Sequence, residues 1–319
     1  MNSEISVMIC THNPRMDYLK RVLEALRMQS LPLERWELLV IDNRSDESLA
    51  GSLDLSWHLQ ARVVREEELG VSQARLTGIR ESKGDLVVFV DDDNVLKADY
   101  LENALRIASS WPQLGSWSGR VVPEFEIQPE DALRPHLWRI CIREISSDKW
   151  GNTGEFDTLP WGAGMCMRRQ ILRQYYQESY SKPEIPGFSR RGKQFLASGE
   201  DIHIAKIGLN MGLGCGVFCS LELTHLIPPS RIQESYLLKL IEDSESGSVV
   251  YQHLIGEAMV KRKPLIDRLV EEYKFLRASK LQKKIEMAVR RGHRRGLAFI
   301  AAMSAKNYIG RFEKKSSAS

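Results

Sequence analysis

The stretch Leu86-Val87-Val88-Phe89-Val90 is apolar at every position and runs without a break into Asp91-Asp92-Asp93. A strand apolar at alternate positions can face water on one side, whereas one apolar throughout must be covered on both faces. Ile5 to Cys10 and Trp36 to Ile41 have the same character, and Arg62 to Val64 is a shorter example. Helical patterns separate them. Leu19, Val22, Leu23 and Leu26 recur at helical spacing behind Pro14, a residue that suits a first helical turn. Val71 to Glu81, closed by Gly84, and Ala98 to Ser110 are the next helices. Strands covered on both faces and alternating with helices predict an α/β fold with a mainly parallel sheet. Ligands of such sheets bind at the carboxyl ends of strands, so the polar residues that follow strands are the candidates for chemistry.

The pattern loosens from about Gly115 to Phe156, a Trp- and Pro-containing stretch that is assigned to no element. Leu159 to Met167 reads as a strand interrupted by Gly162 and Gly164, with a helix after it. Tyr180 to Gly192 reads as a loop, Ile202 to Met211 as a helix and Val217 to Leu223 as a strand. From Gln233 onward the pattern is helical, and Lys263-Pro264 marks a boundary before a basic tail. With 43% apolar residues among 319, a sizeable core is within reach. A net charge of +3 does not call for nucleic acid. Cys215 and Cys219 could be half of a zinc site, but no second pair follows, so the five cysteines read as free thiols of a reducing compartment. Met1-Asn2-Ser3-Glu4 lacks the features of a signal peptide, and no apolar run approaches the roughly 20 residues of a membrane span. The expectation is a cytoplasmic protein, soluble or peripheral on the cytoplasmic face of the membrane.

Three acidic features stand at strand ends or helix starts: Asp42, Asp91 to Asp93, and Glu200-Asp201. Adjacent carboxylates in a cleft repel one another, and a divalent cation relieves that repulsion. Mg²⁺ commonly takes one or two protein carboxylates and completes its shell with water and phosphate oxygens. Read as a continuation of the extended strand, the run has Asp93 assigned to the metal and Asp91 to a nucleotide ribose or a metal-bound water. Glu200-Asp201 suits a helix N-terminus as a capping pair. Beside the aspartates it is also a candidate general base for deprotonating an alcohol. His225 is either structural or a completing metal ligand, and Arg231 beyond it is placed to clamp phosphate.

The chain resembles the family 2 glycosyltransferases, the inverting group with the GT-A fold. The resemblance rests on Ser6-Val7-Met8-Ile9-Cys10-Thr11-His12-Asn13-Pro14-Arg15, on Leu39-Val40-Ile41-Asp42-Asn43-Arg44-Ser45, and on Gly70-Val71-Ser72-Gln73-Ala74-Arg75-Leu76-Thr77-Gly78-Ile79. Gly84-Asp85, Val90-Asp91-Asp92-Asp93, Trp161-Gly162-Ala163-Gly164-Met165 and Gly199-Glu200-Asp201 follow in the expected order, and the likeness covers about residues 4 to 232. It implies a Rossmann-like GT-A domain over 1–232, its nucleotide-binding half about 1–115 and its acceptor-binding half about 116–232. A helical, basic extension then fills 233–319. It also implies a donor site of Thr11, Asn13, Asp42, Arg75, Asp91, Asp92 and Arg231, with Asp93 and His225 on Mn²⁺ or Mg²⁺. Asp201 would be the base, oriented by Glu200, while Trp161, Gly162, Gly164 and His203 would meet the acceptor. The implied reaction is a single in-line displacement from a nucleoside diphosphate sugar, UDP foremost, onto a glycan or lipid-linked hydroxyl in surface polysaccharide synthesis.

Three positions depart from the family pattern. His203 and Lys206 stand where members carry an acidic residue and an Arg, so His203 either meets the acceptor or is a surface helix residue. Leu76 replaces a commonly seen Asn. The tail carries Lys280, Lys283, Lys284, Arg290, Arg291, Arg294 and Arg295 among apolar residues. It reads as a solvated helical face or as contact with an anionic membrane. A non-catalytic protein that binds a nucleotide sugar, or a partner through the tail, is an alternative function. A sugar nucleotidyltransferase is another, but Thr11-His12-Asn13-Pro14 is not the Gly-rich phosphate loop it would need.

Overall fold

The computed structural model describes residues 3–181, 199–254 and 265–316. The chain divides into two compact units, Met1–Gln194 with Glu200–Ile232, and Phe195–Gly199 with Gln233–Ser319.

The first unit is built on one sheet. Its first four strands, β1 (Ile5–Thr11), β2 (Trp36–Asn43), β3 (Ala61–Glu66) and β4 (Leu86–Val90), lie in the order β3-β2-β1-β4 and pair in parallel. The apolar runs are covered on both faces, as their composition requires. Val7, Ile9, Leu38, Val40 and Val88 pack on one side with α1 (Met16–Arg27) and α3 (Tyr100–Ser110). Met8, Leu39, Ile41, Val87 and Phe89 pack on the other with α2 (Val71–Glu81), α4 (Arg169–Ser181) and α5 (Glu200–Asn210). Alternation along each strand therefore feeds two separate cores.

Beyond β4 the sheet continues through β8 (Cys166–Arg168), β6 (Leu114–Phe125), β9 (Gly214–Ile227) and β5 (Asn94–Leu96), with β7 (Lys149–Gly151) also on β9. β4 with β8, β8 with β6, and β9 with β5 and β7 are antiparallel, while β6 and β9 are parallel. The stretch left without an assignment opens with the twelve-residue β6, whose Gly, Ser and Pro123 content hides it from a propensity reading. The strand expected over Leu159 to Met167 shrinks to β8, because the residues before it turn: the Met165 N–H donates to the Gly162 carbonyl, and Gly164 has φ +68°. β9 outruns its expected bounds at both ends. The expected loop from Tyr180 begins inside α4, and its residues 182–192 lie outside the described ones, as does Lys263-Pro264.

The second unit holds α6 (Glu234–Leu254), α7 (Leu265–Arg277) and α8 (Lys280–Ser316). A Cβ at Gly292 would lie 2.3 Å from the Glu242 carbonyl oxygen, so only glycine lets α8 approach α6 this closely. Cations of α8 meet acids of its neighbours: Lys284 with Glu234 at 2.6 Å, Arg291 with Glu242 at 2.7 Å, and Arg290 with Glu272 at 2.9 Å. Arg295 pairs with the fully buried Asp243. Among the described residues, no helix is long and apolar enough to cross a membrane.

Candidate active site

Parallel register brings three expected site segments to one sheet edge. Thr11 is opposite Asp42 at the ends of β1 and β2, and Ile9 is opposite Val90, the last residue of β4. The chain then turns sharply, the Asn94 N–H donating to the Asp91 carbonyl at 3.0 Å. This corrects the expectation of an extended Asp91–Asp93 segment. The turn lets Asp92 accept a hydrogen bond from the Thr11 hydroxyl and sends Asp93 inward, where it is 5% exposed. β5 then pairs with β9, setting Asn94 opposite His225, and the Leu226 N–H donates to the Asp93 carbonyl at 2.9 Å.

That pairing assembles a three-residue cluster. The Asp93 Oδ2 lies 3.5 Å from the His225 Nε2 and 2.9 Å from the Arg231 Nη1. The Arg231 Nη1 is 3.1 Å from the His225 Nε2, and the Nδ1 of the same ring is buried without a hydrogen-bond partner among the described residues. The Asn94 amide donates to the Asp93 Oδ1 at 2.9 Å.

On the donor side, Asn13 takes a left-handed conformation, φ 51°, which asparagine tolerates better than most residues. Its N–H donates to the Ser45 Oγ at 2.9 Å, and its Oδ1 accepts the Asp46 N–H at 2.8 Å, tying the loops after β1 and β2 together. Asp42 is fully buried. It accepts N–H bonds from Ser45 (2.9 Å) and Leu49 (3.2 Å) and pairs with Arg65 at 2.8 Å. Burial pushes its pKa up, but Ser45, Leu49 and Arg65 together hold it below the ordinary aspartate value.

Arg75, on α2, runs beneath the opposite side of the site. It is buried, its Cζ lies 4.7 Å from the Phe89 ring centre, and it donates to Glu200 at 2.9 Å. Burial opposes its charge, yet Glu200 and Asp91 raise its pKa. The Tyr175 hydroxyl donates to the other Glu200 oxygen, so both oxygens of this carboxylate are engaged. Asp201, half-buried, joins its helix to the turn before β8: its Oδ1 accepts the Ile202 N–H and its Oδ2 the Gly162 N–H, each at 3.0 Å. The contact with Gly162 goes beyond helix capping. Burial raises the Asp201 pKa, against the opposing pull of Arg75 and the N–H groups of Ile202 and Gly162.

The remaining expected residues divide. The Trp161 N–H donates to the Ser118 Oγ at 3.3 Å, with the Arg143 guanidinium 4.6 Å from the centre of its ring. Its ring begins a row with Phe156 (5.9 Å) and Trp138 (6.2 Å further), which are 58% and 45% exposed. Gly164 faces the core: its carbonyl accepts the Tyr100 hydroxyl at 2.6 Å, and a Cβ would lie 2.3 Å from that oxygen. His203 is not on the surface; it is 5% exposed, edge-on to Tyr175 at 5.7 Å, because the face of α5 that carries it packs against α4. Sequence reasoning missed Tyr175, Ser118, Phe156 and Trp138. The aromatic content of the unassigned stretch was their one signal, and without a register it pointed nowhere.

The Glycosyl transferase family 2 profile matches residues 6–175, more than half of the chain. The chain belongs to glycosyl transferase family 2. Glycosyltransferase AglE of Haloferax volcanii is 28% identical over 108 residues, 33% of this chain and 35% of that protein. A Bacillus subtilis relative named for teichuronic acid biosynthesis, TuaG, is 30% identical over 104 residues, 32% and 40% of the two chains. The chain thus spans well under half the length of these relatives. Among solved structures, the mannosyltransferase PcManGT of Pyrobaculum calidifontis, in complex with GDP-Man and Mn²⁺, superposes with a TM-score of 0.54 at 17% identity, over 98% of this chain and 80% of that one. Staphylococcus aureus TarS 1–349 with UDP-GlcNAc gives 0.52 at 14% identity, over 75% and 64%. At these identities the likeness is one of fold, the GT-A fold.

Proposed function

We propose that this family 2 protein is a metal-dependent, inverting glycosyltransferase. It moves a sugar from a nucleoside diphosphate, UDP foremost, to a hydroxyl of a glycan or lipid-linked acceptor in surface polysaccharide synthesis, at the cytoplasmic side. The observation that carries the reading is the pairing of Asp93 and His225, which aims one carboxylate oxygen and one imidazole lone pair at a common point. Among the described residues no group of three or more His, Cys, Asp or Glu could hold an ion. Two protein donors fit an ion whose other ligands are water and diphosphate oxygens, and a mixed nitrogen–oxygen pair suits Mn²⁺ better than Mg²⁺. Such an ion supplies charge that stabilises the departing diphosphate. The Mn²⁺ and nucleotide sugars named with PcManGT and TarS support this reading.

The chain's own residues do the rest. Thr11, Asn13, Asp42, Asp91 and Asp92 shape the nucleotide side, and Arg231 clamps the diphosphate. Arg75 holds Glu200 by an ion pair, which orients the start of α5. Asp201 takes the proton from the acceptor hydroxyl as that oxygen attacks the anomeric carbon from the face opposite the diphosphate. The C–O bond to the diphosphate breaks with its electron pair, and the anomeric configuration inverts. Trp161, extended by Phe156 and Trp138, stacks on acceptor sugar rings. Thermal shift with UDP-, GDP-, dTDP- and CMP-sugars, each with Mn²⁺ or chelator, tests this. Stabilisation by one donor class only with metal is expected; a folded protein that binds no donor returns the non-catalytic reading.

A further inference from the structure

One nitrogen bridges both candidate metal donors. The Arg231 Nη1 is 2.9 Å from the Asp93 Oδ2 and 3.1 Å from the His225 Nε2, while those two atoms are only 3.5 Å apart. The guanidinium therefore occupies the point at which an ion held by Asp93 and His225 would lie. A carboxylate as buried as Asp93 needs a compensating charge, and water cannot supply it there. Arg231 supplies it, and its own side chain is 25% exposed, so the head lies at the boundary between the site and solvent. Pro228 and Pro229 stiffen its base, in a short 3₁₀ turn over Pro229–Ile232. Its freedom to move is thus in the side chain rather than in the loop.

Resting on the metal reading above, we propose that Arg231 is the stand-in cation of the donor-free protein. It neutralises Asp93 and donates an N–H to the His225 Nε2, and it must leave both before a divalent ion can bind. The ion and the guanidinium repel each other and cannot share one carboxylate oxygen. A diphosphate gives the guanidinium a planar, multiply charged anion to move to. Ion and diphosphate therefore bind as a linked pair, each weak alone and each strengthening the other by the same factor. The arrangement keeps the buried carboxylate neutralised in every state and ties ion uptake to the presence of donor.

Mn²⁺ binding, followed by loss of the free-ion electron paramagnetic resonance signal, tests this without turnover. The full chain and its Arg231→Gln, Arg231→Lys and Asp93→Asn variants would be titrated alone and with UDP, GDP or dTDP. Native protein is expected to bind Mn²⁺ at least about tenfold more tightly with its nucleotide than without. Arg231→Gln is expected to bind bare Mn²⁺ about tenfold more tightly than native protein and to lose most of the nucleotide effect. Arg231→Lys keeps the competing charge and should stay close to native without nucleotide, which separates charge competition from misfolding. Asp93→Asn added to Arg231→Gln should abolish the gain that Arg231→Gln gives alone. If Arg231→Gln gains nothing while native protein binds Mn²⁺ with nucleotide, the stand-in role is wrong and the metal reading survives. If native protein fails to bind Mn²⁺ in the presence of UDP, GDP or dTDP alike, the metal reading itself falls.

Discussion

Asp42 is a buried aspartate at a strand end and Asp201 a half-buried one at a helix start, and their surroundings drive them in opposite directions. Asp201 has one N–H from Gly162 and one from Ile202 to offset its burial, so its pKa stays above the ordinary 3.8. As a base it must be ionised, so activity is expected to fall as pH drops through this raised value, and Asp201→Asn should lose roughly 10²- to 10⁴-fold in kcat with donor affinity unchanged. Retained turnover would remove the role. Its stability contribution is fully present below 3.8 and is lost as pH rises through the folded-state value, so Asp201→Asn should raise the Tm at neutral pH and not at pH 3. Asp42 is the reverse case. Its depressed pKa contributes stability above 3.8 that is lost as pH falls through the folded-state value. Asp42→Ala would leave two N–H groups and Arg65 without their acceptor, and urea denaturation should show a loss of about 3 kcal/mol. A loss below about 1 kcal/mol would mean that water replaces the carboxylate.

At the scale of elements, the turn between Trp161 and β8 joins Asp201 to the core. Its two glycines differ in kind. Gly164 is in the left-handed region and faces the Tyr100 hydroxyl, so Gly164→Ala combines backbone strain with a clash and should cost about 3 kcal/mol by denaturation. A Cβ at Gly162 would meet Arg75 and Asp201 at 3.5 and 3.6 Å, ordinary contact distances. Gly162→Ala should therefore keep the native Tm within about 2 °C while crowding the acceptor side, raising the KM for acceptor. The opposite ranking of the two variants would place Gly162 in the fold and Gly164 at the substrate.

For the molecule as a whole, part of the charge of the helical unit is answered within it, among the described residues. Lys284, Arg290, Arg291 and Arg295 have acidic partners on α6, α7 or α8. Among the described side chains of α7, Ile266, Val270, Tyr273 and Leu276 are between 47% and 72% exposed, beside the exposed Glu272, Lys274 and Arg277. Attachment to an anionic bilayer, expected from the basic composition, would then rest on this row more than on the cations. Vesicle sedimentation should therefore persist at about 0.5 M salt, where surface charges are screened, and fail in Val270→Glu or Leu276→Glu. Release by salt alone would return the role to the cations.

The apolar strands, their covering helices and the acidic strand ends were legible in the residues, because burial on two faces and carboxylate repulsion are local properties of a short run. Asp91 to Asp93 announced an acidic cluster at a strand end in that way, and Leu86 to Val90 announced a covered strand. The residues could not show which aspartate turns inward, because that depends on the Asp91–Asn94 turn and on β5 meeting β9 in the register that sets Asn94 against His225. They could not show β6, whose place comes from neighbours on both edges rather than from its own propensity. Nor could they show that Arg75 lies under Glu200 rather than beside a nucleotide alone, or that His203 is buried. Long-range pairing decided these points, since contacts between residues a hundred or more positions apart leave no periodic trace in the chain.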